Sequence, residues 1–411
     1  MKVWIKLFIG SVLGLILGFV LPQDNTTITA AFDWLAQVAL QIGRYSLVPT
    51  MFFALVIAIY ELRQDTQLWP VVFRTIGIIV LSTLFIVGSG ILVTLLFPPA
   101  RIPILIEGQK ESLSLDVGKA VLELFPTNML KALFTDGLFL LPIWIFAIFL
   151  GAGFSYDRVH TKPVISLTDS LSRIFYYISI FFSEILGILM IFLSTFWAIR
   201  LQGAINARVF QDLMVLLAIY SGMLCFIILP LFLYLFGIKK INPWKQVYGT
   251  LGTAVTGLIS GDLYITLPLL IRQAKENHGV QRRVNAITLM LFSTFARAGS
   301  AMVAAASFIV IIKSYSSLGI SAGDLFTIWL YASIISVLLP RFPGNGAFAA
   351  LAVLSAWFGR GYEAGYLILK PLAFYLISFG TLIDVTVAAL GTYAVGKLSG
   401  FQEEKESRHF I

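Results

Sequence analysis

Charge is what this 411-residue chain has least of: 12% of residues are Asp, Glu, Lys or Arg, against 58% that are hydrophobic. So little charge cannot solvate the surface of a soluble domain of this size, and continuous apolar runs place the chain among polytopic α-helical membrane proteins. A transmembrane barrel is excluded because alternating strands of about ten residues are lacking. There is one cysteine, Cys225, so no intramolecular disulfide exists and the compartment cannot be read from thiols. Three histidines, at 160, 278 and 409, form no spaced cluster, which removes the usual metal site and the histidine base. No nucleophile-base constellation, phosphate loop or short solenoid repeat is present, and an enzyme is the least supported reading. The net charge of +8 sits mainly in connections between apolar runs. It therefore reports topology and contact with the lipid bilayer, with no nucleic acid implied.

The spans drawn from hydropathy are 3–21, 38–62, 71–97, 121–154, 172–199 and 209–238, then a hairpin at 244–274, a helix at 284–313, a hairpin at 324–359 and a helix at 364–397. The first run carries no small-x-small cleavage site before Pro22, so it reads as a span rather than a signal peptide. Pro126 and Pro142 divide 121–154 into pieces. The excess of Lys and Arg on one side places both termini in the cytoplasm of a plasma membrane. The loop from Pro98 to Lys119 and the sequon at Asn25 then lie outside, and the polar tail 400–411 is expected to fray.

Two apolar stretches are broken at their centres by turn chemistry, Thr256-Gly-Leu-Ile-Ser-Gly-Asp262 and Leu339-Pro-Arg-Phe-Pro-Gly-Asn-Gly346. Their arms of about 12 to 16 residues fall short of the roughly 20 that a span needs, which suits re-entrant hairpins. Backbone irregularity at membrane depth is tolerated where it lines a cavity, and paired interruptions mark a transporter's binding site. Two ordinary surface connections are the plain alternative.

Ionisable residues within such segments are functional candidates. Asp262 stands at the first break, Arg297 in Phe295-Ala-Arg-Ala-Gly-Ser300, and Asp384 in Gly380-Thr-Leu-Ile-Asp-Val-Thr386. Small residues around Arg297 fit an unwound helix. On the sequence alone Arg297 either binds solute or pairs permanently with Asp384 or Asp262. Arg341 either holds an anion or extends to the interface.

These residues, with Leu47-Val-Pro-Thr-Met-Phe-Phe-Ala-Leu, Phe125-Pro-Thr-Asn-Met-Leu, Leu141-Pro-Ile-Trp-Ile-Phe-Ala-Ile-Phe-Leu-Gly, Thr266-Leu-Pro and Phe342-Pro-Gly-Asn-Gly-Ala, resemble the dicarboxylate/amino acid:cation symporter family. The resemblance implies a glutamate-transporter-like inverted-repeat fold of eight spans and two re-entrant hairpins, a homotrimer, and transport by an elevator motion. It divides the chain into a mostly scaffold and trimerisation part, 1–240, a transport core, 241–399, and the tail. The substrate set it implies comprises Ser260, Asp262, Arg297, Ser300, Arg341, Pro343, Gly344, Asn345, Gly346, Thr381 and Asp384. The chain departs from the family's pattern at Ala296-Arg-Ala-Gly-Ser300, which stands for Asn-Met-Asp-Gly-Thr. It also departs at Ile377, Gly380 and Ala388, where the pattern has charged side chains. Hard cations need oxygen ligands, so side-chain sodium sites are dismantled. The expectation is a secondary transporter of a small organic anion that uses no cofactor. Its coupling ion is a proton, with Asp384 the candidate carrier, or a single sodium. A non-transporting sensor on the same fold and a passive anion channel are the rivals.

Overall fold

The computed structural model describes the chain except residues 1, 22–25, 104–122, 125, 127, 129, 131–132, 134–138, 157, 207, 236–241, 317–318 and 342–345. Among the described residues there is no strand, only one isolated bridge between Val280 and Gln402. Among the described residues seven helical segments are long and apolar enough to cross a membrane. The Asn25 sequon and most of the 98–119 loop lie outside the described residues.

Helix α1 (Val3–Val20) packs along α6 (Arg158–Asn206) through small residues. A methyl group on Gly10 would stand 2.1 Å from the Gly187 carbonyl oxygen, and one on Gly14 would stand 2.2 Å from that of Ile191. Such close backbone approach is how helices associate when no hydrophobic effect drives them together in lipid. At 49 residues, α6 is about 74 Å long at 1.5 Å per residue and runs well past the expected 172–199. Its polar first turns, Arg158 to Ser172, carry no hydropathy signal.

The expected single span 38–62 is two helices, α2 (Thr26–Arg44) and α3 (Leu47–Gln64), separated by a turn at Tyr45–Ser46. The start of α2 was missed because Thr, Asp33 and Gln37 interrupt its apolar face. Next come α4 (Leu68–Leu96), α5 (Leu141–Gly153) and α7 (Gln211–Leu235). Within α7 a π-helical turn covers Leu224–Ile228, and the Leu229 amide reaches back to the Leu224 carbonyl. Pro230 follows directly; its ring would crowd the carbonyl four residues back in a regular helix, and the wider turn relieves that clash.

The C-terminal half is the interior. It comprises α8 (Pro243–Ser260), α9 (Leu263–Glu276), α10 (Arg282–Phe295), α11 (Ala298–Tyr315), α12 (Ala322–Leu338), α13 (Gly346–Phe358) and α14 (Ala373–Leu398). Over its most apolar window the α10–α11 segment is 94% buried, against 33% for α4 and α7, so the helix interrupted at Ala296–Arg297 lies at the centre. Helix α11 packs on α4, α13 and α14, while α8 packs on α14.

The tail does not fray. Gln281 N–H donates to the Phe401 carbonyl at 3.0 Å and Glu403 N–H to that of Gly279 at 2.9 Å. Phe410, 2% exposed, stacks on Tyr248. Two phenylalanines flanking the charged run anchor it, Phe410 on α8 and Phe401 against Arg283 at the start of α10.

Candidate functional site

The break between α10 and α11 is a backbone event. Ala296 (φ −104, ψ 58) and Arg297 (φ −90, ψ 43) leave the helical region, which exposes the first amides of α11 without intrahelical acceptors. Asp384 of α14 supplies what they lack. Its Oδ1 accepts from Gly299 N–H at 2.7 Å and Ser300 N–H at 3.3 Å, and its Oδ2 accepts from Ser300 Oγ at 2.6 Å. The carboxylate therefore acts as an N-cap contributed by another helix, at the positive end of the α11 dipole. Glycines permit the approach: a methyl on Gly299 would lie 2.5 Å from the Gly380 carbonyl oxygen, and one on Gly380 would lie 3.0 Å from Ser300 Cα.

Arg297, 3% exposed, has its guanidinium carbon 6.0 Å from the centre of the Tyr264 ring. Its Nε is buried without a hydrogen-bond partner, and it forms no ion pair among the described residues. Neither carboxylate lies within ion-pair distance of it: Asp384, which still interacts electrostatically with the guanidinium, is hydrogen-bonded to the α11 amides and the Ser300 hydroxyl, and Asp262 pairs with Arg44. An unpaired buried cation costs several kcal/mol. The Tyr264 ring offsets on the order of 1 kcal/mol of that.

Asp262 sits in the turn between α8 and α9. Helix α8 stops at Ser260 because Gly261 takes a left-handed conformation (φ 63), and Asp262 caps α9 by accepting from Tyr264 N–H at 2.7 Å. Its other oxygen pairs with Arg44 at the end of α2. Ser260 Oγ accepts from Asp262 N–H at 3.2 Å, so this hydroxyl serves the turn itself. A methyl on Gly261 would lie 3.1 Å from Ile377 and 3.8 Å from Ser378 Oγ, which places the turn against α14 one helical turn before the buried Thr381. On the opposite side Gly346 opens α13 against Ser300, whose Oγ would be 2.7 Å from a methyl there. Ser300, Arg297, Asp384 and Gly346 thus meet around the helix break, and Ser260 and Asp262 meet α14 beside it. Arg341 ends a 3-10 turn, Leu339–Arg341. Pro343, Gly344 and Asn345 lie outside the described residues.

Two neighbours were not singled out from the sequence: Tyr264, and Arg44, a charge inside the apolar segment drawn as 38–62. Burial of charge at membrane depth is the signal that would have found Arg44.

A family model described as the sodium:dicarboxylate symporter family matches residues 3–398. The chain belongs to this family. Excitatory amino acid transporter 3 of Homo sapiens is similar to it at 32% identity over 183 residues, covering 44% of this chain and 33% of the relative. The Mus musculus transporter 3 matches equally, and excitatory amino acid transporter 1 of Rattus norvegicus is 25% identical over 171 residues, 42% of this chain and 31% of the relative. The chain matches about a third of the length of these relatives. The sodium:dicarboxylate symporters are membrane transporters, which agrees with the apolar helices found here. In this member Ala296, Ala298 and Ala388 are buried methyl groups, and among the described residues no group of three or more His, Cys, Asp or Glu could hold a metal ion.

Proposed function

We propose that this symporter-family chain is a secondary transporter of a small organic anion, bound at Arg297, with weak or absent sodium coupling. The observation that carries this is a buried guanidinium with no ion partner among the described residues, located at a helix break beside an already satisfied carboxylate. An anionic solute completes it by charge-assisted hydrogen bonds. Alanine at 296, 298 and 388 offers a hard cation no side-chain oxygen. In this reading eight spans and two re-entrant hairpins form the fold, 1–240 is mostly scaffold, 241–399 is the transport core, both termini are cytoplasmic, and three copies assemble in the membrane.

The test is uptake of a panel of radiolabelled small carboxylates into proteoliposomes under separately imposed sodium and proton gradients. Uptake that persists when choline replaces sodium, and that Arg297→Ala abolishes in a folded protein, is the expected result. A steep multi-ion sodium dependence refutes the coupling claim. A sensor on the same fold is the rival reading, supported by the pair between the partly buried Arg44 and the buried Asp262 that ties α2 to the α8–α9 turn. It predicts solute binding without uptake.

A further inference from the structure

Helices α8 and α9 are tied at both ends to the first part of the chain. At the base, Arg272 Nη1 pairs with Glu184 of α6 at 2.8 Å and Tyr176 Oη donates to Glu276 Oε1 at 3.1 Å, while Lys6 of α1 shares the Glu184 carboxylate and so joins only α1 to α6. Glu184 is 34% exposed in its side chain and Glu276 28%, so water competes with these contacts and each contributes little. The turn differs. There the Asp262 side chain is 3% exposed and that of Arg44 19%, and the two charges pair directly. The same carboxylate holds the Tyr264 amide at 2.7 Å, and the Tyr264 ring faces Arg297. A contiguous path therefore runs from the end of α2, through the α8–α9 turn, to the cation at the helix break.

We propose that Arg44 and Asp262 form a releasable latch. Paired, they hold the α8–α9 turn on the α2–α3 junction with Tyr264 closed over Arg297. Released, the turn leaves and Arg297 becomes accessible from that side. The two arrangements form a two-state element, and the strength of this ion pair sets its balance. The inference rests on the proposed solute role of Arg297 only for what release exposes; the latch itself operates without solute.

The test uses the full chain in lipid nanodiscs, with Cys225→Ala and a single reporter, Ser260→Cys, labelled by a membrane-impermeant maleimide in the absence of solute. Asp262→Asn retains an oxygen to cap α9 and removes the charge; Arg44→Gln removes the partner. Each is expected to speed labelling by about tenfold or more. Arg44→Lys is expected to leave it slow, and the double Arg44→Gln, Asp262→Asn variant to label no faster than either single. Thermal unfolding and gel filtration of each variant separate release of the turn from general loss of fold. Labelling of folded Asp262→Asn as slow as the parent overturns the latch, as do accelerations that multiply in the double variant. Normal latch behaviour with no solute uptake counts against the transport reading and leaves the latch standing.

Discussion

Replacing Asp384 with alanine removes the acceptor of three hydrogen bonds, from Gly299 N–H, Ser300 N–H and Ser300 Oγ. Hydrogen bonds to a charged group contribute roughly 1.5 to 3 kcal/mol each, and amides stranded in a dry interior lose the whole amount, so a loss of about 4 kcal/mol or more is expected. Arg297 adds a Coulomb term that geometry bounds. No Arg297 nitrogen lies within 4 Å of an Asp384 oxygen. At an effective dielectric near 20 the attraction is then below about 4 kcal/mol and falls further with distance. The Arg297→Ala, Asp384→Ala double variant relieves only that electrostatic part and is expected to recover less than half of the loss. Asp384→Asn presents one oxygen to the two amides and an NH2 to the Ser300 hydroxyl, which can turn to accept; a cost of roughly 1 to 2 kcal/mol follows. The assay is equilibrium unfolding in mixed micelles, read by tryptophan fluorescence, for the parent, both single variants and the double variant. Near-complete recovery in the double variant would refute the capping role and show that the two charges act as one structural pair.

Two further outcomes follow from packing and from burial. Gly299→Ala forces a methyl to within 2.5 Å of the Gly380 carbonyl; backbone must move, and a stability loss of about 1 to 3 kcal/mol with weakened solute binding is expected, checked by the same unfolding assay and by binding titration. His278, 2% exposed in the connection after α9 and bonded through Nδ1 to Gln246 at 2.7 Å, has its pKa pushed down to about 4 by burial. Because the unfolded chain takes up this proton first, the stabilising effect of the neutral ring is complete above about pH 6.5 and is lost as pH falls toward 4, by roughly 3 kcal/mol. Unfolding midpoints for the parent and His278→Gln at pH 7 and 4.5 test this, and a parent no more acid-sensitive than the variant contradicts it.

The parts of the fold legible in the sequence are those whose signal is local. Ser260-Gly261-Asp262 stops one helix and caps the next within three residues, so the turn is readable from residue types alone. The break at Ala296–Arg297 is announced by a charge among small residues. What escaped depends on distant partners. Asp384 meets Gly299 across 85 positions, and nothing near either residue specifies that a carboxylate will cap a helix elsewhere. The start of α2 escaped because an amphipathic helix has no continuous apolar run, and the docked tail because two phenylalanines outweigh its charges.

Arg44, Asp262, Arg297 and Asp384 carry formal charges that sum to zero, so composition alone predicts two neutral pairs and no site. The geometry distributes the charges otherwise. Arg44 and Asp262 neutralise one another at the turn. Asp384 is drawn to the amides and hydroxyl at the start of α11, whose dipole already favours a negative charge there. Arg297 gains no ion pair among the described residues and faces the Tyr264 ring. The helix break is thus what separates a cation from its formal counter-charge. By exposing amides that capture the carboxylate, it leaves the guanidinium beside them in need of an anion, and a continuous helix through Ala296–Arg297 would remove both the cap and the need.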